Sequence, residues 1–90
     1  MRLEVTQTAP KAYKSEIVQS GRYMMQVVGC CSVNIYESVD GERFSRGRRF
    51  TSPAEGVVFP VNLPEGGLFY LELTDAAVEP KIMYITPKDK

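Results

Sequence analysis

The chain has no histidine, no tryptophan, only two cysteines, no excess of either charge and no long apolar run. Each absence removes a class of function. Without histidine the commonest general acid or base is missing, and nothing in the sequence marks a partner that would lower the pKa of Cys30 or Cys31. Carboxylate pairs such as Glu65 with Glu72 cannot be placed from sequence, and a small domain of short strands leaves little room for a pocket of ~300 Å³ or more. The expectation is a non-enzyme with no catalytic residues and no cofactor.

Cys30 and Cys31 are neighbours, and adjacent residues on an extended strand point to opposite faces, so a bridge between them would be strained. Both read as free thiols. A lone Cys-Cys pair without histidine cannot supply four tetrahedral ligands, which argues against zinc and leaves no metal site. Eleven basic side chains balance eleven acidic ones. The molecule as a whole therefore has no field to draw it to nucleic acid or an anionic membrane. No apolar run approaches the ~18 residues of a transmembrane helix, and MRLEVTQTAPKAYKSE lacks the apolar core of a signal peptide. The corresponding expectation is a protein made and kept in a cytoplasm.

What is present is the composition of a folded domain: 43% apolar, 24% charged, with five tyrosines and four phenylalanines. Ninety residues suit one domain spanning 1–90, with a thin core that buries somewhat over ~60% of the unfolded surface. No segment keeps helical apolar spacing. Runs rich in β-branched and aromatic residues instead recur between Gly, Pro, Asp and Ser, which predicts strands near 2–7, 12–18, 22–28, 31–37, 57–62, 68–74 and 81–86. A shorter, irregular strand falls within 43–51. Ser20-Gly21, Asp40-Gly41 and Gly66-Gly67 are the expected corners, because they tolerate positive φ. Pro60 lacks a backbone donor and marks a sheet edge or a bulge.

Seven or eight short antiparallel strands predict an all-β domain, a small β-sandwich of jelly-roll or Ig-like kind. Alternation turns Cys31, Val33, Ile35, Val57, Phe59, Val61, Phe69, Leu71, Leu73, Met83 and Ile85 inward. It turns Ser32, Asn34, Tyr36, Tyr70, Glu72, Tyr84 and Thr86 outward. The tail 88–90 and a loop over 45–56 are the expected mobile parts.

Three features are candidates for function. The segment Val33 to Phe44, VNIYESVDGERF, runs a strand into a Ser-Val-Asp-Gly turn, after which Phe44 should return to the core. Turn preferences alone account for Ser38, Asp40, Gly41 and Phe44. The same Ser-x-Asp-Gly-x-x-Phe segment resembles small β-sandwich modules of phage virions, and with Gly29 and the Gly66-Gly67-Leu68-Phe69-Tyr70 strand the resemblance extends over roughly residues 22–74. It implies a head-decoration, fibre or tail-adaptor role, in which the domain binds other copies or a capsid surface. The turn is also similar to that of discoidin-type carbohydrate-binding sandwiches, although the absence of Trp and of disulfide-forming termini departs from that family.

The second feature is Arg43, Arg46, Arg48 and Arg49, four arginines that could grip carboxylate or phosphate by paired hydrogen bonds. The bland alternative is a solvated loop beside Glu37, Glu42 and Glu55. The neutral balance and lack of interleaved aromatics favour an acidic protein patch over nucleic acid. The third is Tyr36, Tyr70 and Tyr84, which offer broad contact area if exposed and become core if the register slips by one residue. The leading expectation is thus a non-enzymatic structural or interaction module, virion-associated, that assembles with itself or with a larger complex through these arginines and tyrosines. The alternatives are a carbohydrate-binding module using the tyrosines and a small accessory or inhibitor protein using the arginines.

Overall fold

A computed structural model describes residues 1–86. Eight strands follow the chain: β1 (Arg2–Leu3), β2 (Val5–Ala9), β3 (Ala12–Ser15), β4 (Val18–Val28), β5 (Cys31–Ser38), β6 (Ser45–Ser52), β7 (Val57–Thr74) and β8 (Lys81–Ile85), with no helix among the described residues. Every pairing is antiparallel. The order is β1-β8-β4-β7-β3-β2, and β5 joins a second side of β7 and carries β6. The small antiparallel all-β fold is therefore as the alternation predicts. Its two layers are halves of one sheet, because β4 and β7 pass through both and fold it into a nearly closed barrel.

That continuity corrects two of the three expected corners. Gln19 pairs with Leu68 and Gly21 with Leu63, so Ser20 alone on β4 stands opposite 64–67 on β7. The surplus bends the ladder without reversing the chain. Gly66 takes φ 95°, a conformation that residues with a Cβ rarely adopt, and so lets the strand bend here. The predicted strands 57–62 and 68–74 are accordingly one bent strand, and 12–18 is two, since β3 ends at Ser15 before β4 begins.

The expected mobile loop over 45–56 is also corrected, because most of it is β6, paired with β5. Gly47 is the extra residue of a bulge, since Ile35 pairs with Arg48 and Tyr36 with Arg46. Only 53–56 remain as a turn, closed by the Gly56 N–H to the Pro53 carbonyl at 2.9 Å. The tail 88–90 lies outside the described residues. Pro60 behaves as its missing donor demands: β4 pairs with it on one side, and β5 reaches only the 68–74 half of β7 on the other, leaving an edge.

One core fills the barrel, with Met25, Val27, Val33, Ile35, Val61, Phe69, Leu71, Leu73 and Ile82 fully buried. The inward set predicted on β5 and β7 is found there. On β8 the expectation slips by one residue. Ile82 is buried and Tyr84 packs on the core, whereas Ile85 is 63% exposed and Met83 lies on the outer side with it. The physical reason is the ring of Tyr84, which meets Tyr23 edge-on at 5.6 Å and occupies the inward position.

Candidate interaction surfaces

The β5–β6 connection spans six residues, wider than the tight Asp-Gly turn anticipated, and Asp40 organises it. Its Oδ1 accepts from the backbone N–H of Glu42 at 2.8 Å, from that of Arg43 at 3.0 Å and from the Ser38 hydroxyl at 2.9 Å. The Ser38 oxygen accepts in turn from the Gly41 N–H at 2.8 Å. Three donors on one carboxylate favour its charged form, and the backbone N–H groups of Arg43 and Glu42, followed by the Ser38 hydroxyl, hold Asp40 down to about 2. Phe44 does not return to the core as expected. It leans on Tyr70 at 5.2 Å on the outer face, because the wide loop delivers it there.

The bulge at Gly47 separates the four arginines. Arg46 stands opposite Tyr36 and Arg49 opposite Asn34. The two arginines are exposed on the outer face, whereas Asn34, expected to face solvent, is buried and donates from Nδ2 to the Glu72 carbonyl at 3.4 Å. Arg48 stands opposite the inward Ile35 but at the open edge, where its guanidinium donates to the Pro60 carbonyl at 2.7 Å and lies 6.0 Å from the Phe59 ring centre. Arg43 remains in the loop, lining an open depression of about 410 Å³ with Arg46, Glu37 and Asp40. Four residues that look like one cluster in sequence thus occupy three environments.

Tyr36 and Tyr70 share a face, as alternation predicts. Their rings stack at 5.2 Å and 8°, and the Lys14 ammonium sits 4.4 Å from the centre of Tyr70 from the strand on the other flank. Partial burial, then the charges of Glu72 and Tyr36, push the Tyr70 phenol up from its ordinary value. Tyr84 belongs on the opposite side of its strand from the outer face, so the three-tyrosine platform is corrected to a pair. Lys14, Arg46 and Arg49 surround that pair, with Glu72 beside them in the ladder.

The second layer carries a surface that the sequence reading missed. Cross-strand register places Arg2, Met83, Gln26 and Val58 in one row, and Ile85, Met24 and Pro60 in the next. All seven point away from the core. Met24 is 41% exposed and Val58 59% exposed, and together with Ile85 and Met83 they line an open depression of about 470 Å³. It is larger than the sequence leads one to expect of so small a domain, because it lies on the sheet's outer face and takes no space from the core. The signal was present in MMQVV and VVFPV, where apolar residues fill both alternating positions, a pattern that marks a strand covered or contacted on both faces.

Cys30 sits exposed in the turn between β4 and β5, while Cys31 is buried at the start of β5. Desolvation, followed by the neighbouring Cys30 charge, pushes the Cys31 thiol up. Compared with protein-family models, curated proteins and solved structures, the chain matches none of them.

Proposed function

We propose that this domain is a non-enzymatic interaction module that assembles with itself or with a larger complex. The observation that carries the reading is the outer face of β8, β4 and the first half of β7. Met24, Val58, Pro60 and Ile85 leave a contiguous apolar patch in water, which a folded domain tolerates at the expense of solubility unless a partner covers it. Methionine at three positions around that patch suits an interface, since its flexible thioether adapts to a partner's shape.

The chemistry of the remaining surface supports the non-enzymatic part. The chain has no histidine to act as a base, and desolvation pushes the buried Cys31 thiol toward its neutral, less nucleophilic form. The resemblance of Val33 to Phe44 to virion sandwiches supplies a setting, a phage particle in which the domain decorates a capsid or joins a fibre or tail.

A photo-reactive residue at position 58, introduced in the cells or particles that naturally carry the protein, tests this directly. Ultraviolet light should give discrete adducts from position 58 and fewer from Val78, which is exposed outside the strands. Absence of adducts at 58 and at 24 would sink the proposal, and adducts missing from purified particles would remove the virion setting.

A second reading rests on the opposite layer. Lys14, Arg46 and Arg49 around the Tyr36–Tyr70 stack form a cationic and aromatic face suited to an acidic protein surface. Sugar binding has less support there, because Tyr70 has Tyr36 over one side and Lys14 over its ring, which leaves no open ring face of Tyr70 for a sugar to stack on. Arg46→Glu with Arg49→Glu should abolish such a complex and leave the fold intact, whereas loss of binding on Tyr36→Ala in a glycan panel would restore the sugar reading.

A further inference from the structure

The interaction-module reading leaves open whether the apolar face takes a second copy of this chain or a different one, and the charges at its border decide. The residues that continue the ladders beyond the two apolar rows are Arg22 opposite Asn62 at one end and Lys81 opposite Val28 at the other, with Arg2 on the flanking strand β1. All three cations are exposed. The carboxylates nearest in sequence take none of these ladder positions: Glu4, Glu55 and Glu79 lie at strand ends and turns, and Glu65 lies in the unpaired bend of β7 opposite Ser20. Two copies packed face to face about a two-fold axis would bring the same cationic border against itself, and like charges across an interface suppress that pairing.

A partner with carboxylates around an apolar centre meets the opposite situation. Its anchor side chain has somewhere to go, because the face carries an open depression of about 470 Å³ lined by Met24, Gln26, Val58, Met83, Ile85 and Arg2. Anchors seated in such hollows dominate the energy of protein interfaces, and a polar border excludes water around them. A cationic border would also attract an anionic membrane, but a flat bilayer rewards protruding apolar side chains rather than a hollow. We infer that this face docks a segment of a different protein, presenting one or two large apolar side chains flanked by aspartate or glutamate. The inference rests on the proposed interaction module and adds the chemistry of its partner.

The experiment uses the full chain, immobilised and exposed to a random library of 12-residue peptides, followed by fluorescence anisotropy with the enriched sequences. Enriched peptides should share an apolar anchor with Asp or Glu within three positions, and raising salt from 50 to 500 mM should weaken binding severalfold. Met24→Lys and, separately, Val58→Lys should each weaken binding at least tenfold. Both positions are solvent-exposed, and an unchanged thermal melt certifies the fold of each variant. Arg22→Glu combined with Lys81→Glu should shift the selected flanks toward Lys and Arg. Failure to enrich acid-flanked anchors, or binding indifferent to both Met24→Lys and Val58→Lys, would overturn the assignment. So would a dimer in light scattering that Met24→Lys dissociates, or binding of phosphatidylserine vesicles that Met24→Lys abolishes. If position 58 cross-links to a partner while the library gives no acidic flank, the partner chemistry falls and the module reading stands.

Discussion

Arg48 reaches across the open edge of the sheet and donates from Nη2 to the carbonyl oxygen of Pro60 at 2.7 Å. The strands involved, β6 and the first half of β7, are joined by a four-residue turn yet share no ladder. Phe50 and Phe59 fill the gap between them, ring centres 4.8 Å apart and nearly edge-on. A side chain thus takes the place of a missing strand at the seam of the barrel. Pro60 has no N–H to offer a neighbouring strand there, so its carbonyl is free for the guanidinium.

The seam should therefore depend on Arg48 more than on its neighbours. A charge-assisted bond to a carbonyl at an exposed edge is worth about 1–2 kcal/mol, and Arg48→Ala should lower the urea midpoint accordingly. At roughly 4–8 °C per kcal/mol for a domain of this size, the melt should shift by several degrees. Arg48→Lys should recover part of it, because an ammonium can donate but does not lie flat beside Phe59. Arg46→Ala and Arg49→Ala, whose side chains stand on the open outer face, should stay within about 0.5 kcal/mol of the parent. Equal losses at all three positions would show that the seam is not held in this way.

Asp40 makes the turn before β6 sensitive to acid. Its folded pKa of about 2 lies below the unfolded value of roughly 3.9. A depressed carboxylate pKa means that the unfolded chain takes up the proton first, so the charged turn stabilises the fold fully above about pH 4, and the contribution fades as pH falls toward 2. Asp40→Asn should be less stable than the parent at pH 7, and the gap between them should narrow between pH 4 and pH 2. Chemical denaturation at four or five pH values measures it; a gap constant down to pH 2 would place the stabilisation in packing instead.

Gly56 and Gly66 give a paired test of close backbone approach. Both have positive φ, 99° and 95°, so alanine is strained at either. A Cβ at Gly56 would also lie 2.5 Å from the Val27 carbonyl oxygen, whereas nothing stands within 4 Å at Gly66. Gly66→Ala should cost about 1–2 kcal/mol from conformational strain alone. Gly56→Ala should cost clearly more, because the backbone of β4 must move to admit the methyl group. Equal losses would mean that the turn at 53–56 relaxes freely away from β4.

Much of the fold was legible in the sequence because alternation is a local signal. Cys31, Val33 and Ile35 on β5, and Phe69, Leu71 and Leu73 on β7, face the core as read. What failed was information held between strands. Gly21, Gly66 and Gly67 signal turns locally, but only the β4–β7 ladder on either side of them reveals bends in continuous strands. Gly47 in the arginine run gives no local hint that one extra residue will send Arg48 to the seam while Arg46 and Arg49 stay on the outer face. The apolar outer face went unseen for a related reason. Met24 and Val58 alternate with the inward Met25 and Phe59, and an apolar residue on each side of a strand says nothing about which side is covered.

β8 is where that ambiguity produced a definite misreading, and two substitutions separate the alternatives. Lys81–Ile85 has apolar residues at four consecutive positions, so both registers bury two of them. Ile82 is fully buried beside Val27, its partner on β4, while Ile85 pairs with Met24 on the outer face. Removing three carbons from a packed core leaves a cavity its neighbours cannot fill, and Ile82→Ala should destabilise the domain by about 2–5 kcal/mol. Ile85→Ala removes the same atoms from a largely exposed site and should change stability by less than about 1 kcal/mol, while weakening any ligand bound over Met24 and Val58. Urea titrations of the two variants decide it. If Ile85→Ala proves the more destabilising, β8 is shifted by one residue, and the apolar face loses two of the side chains that define it.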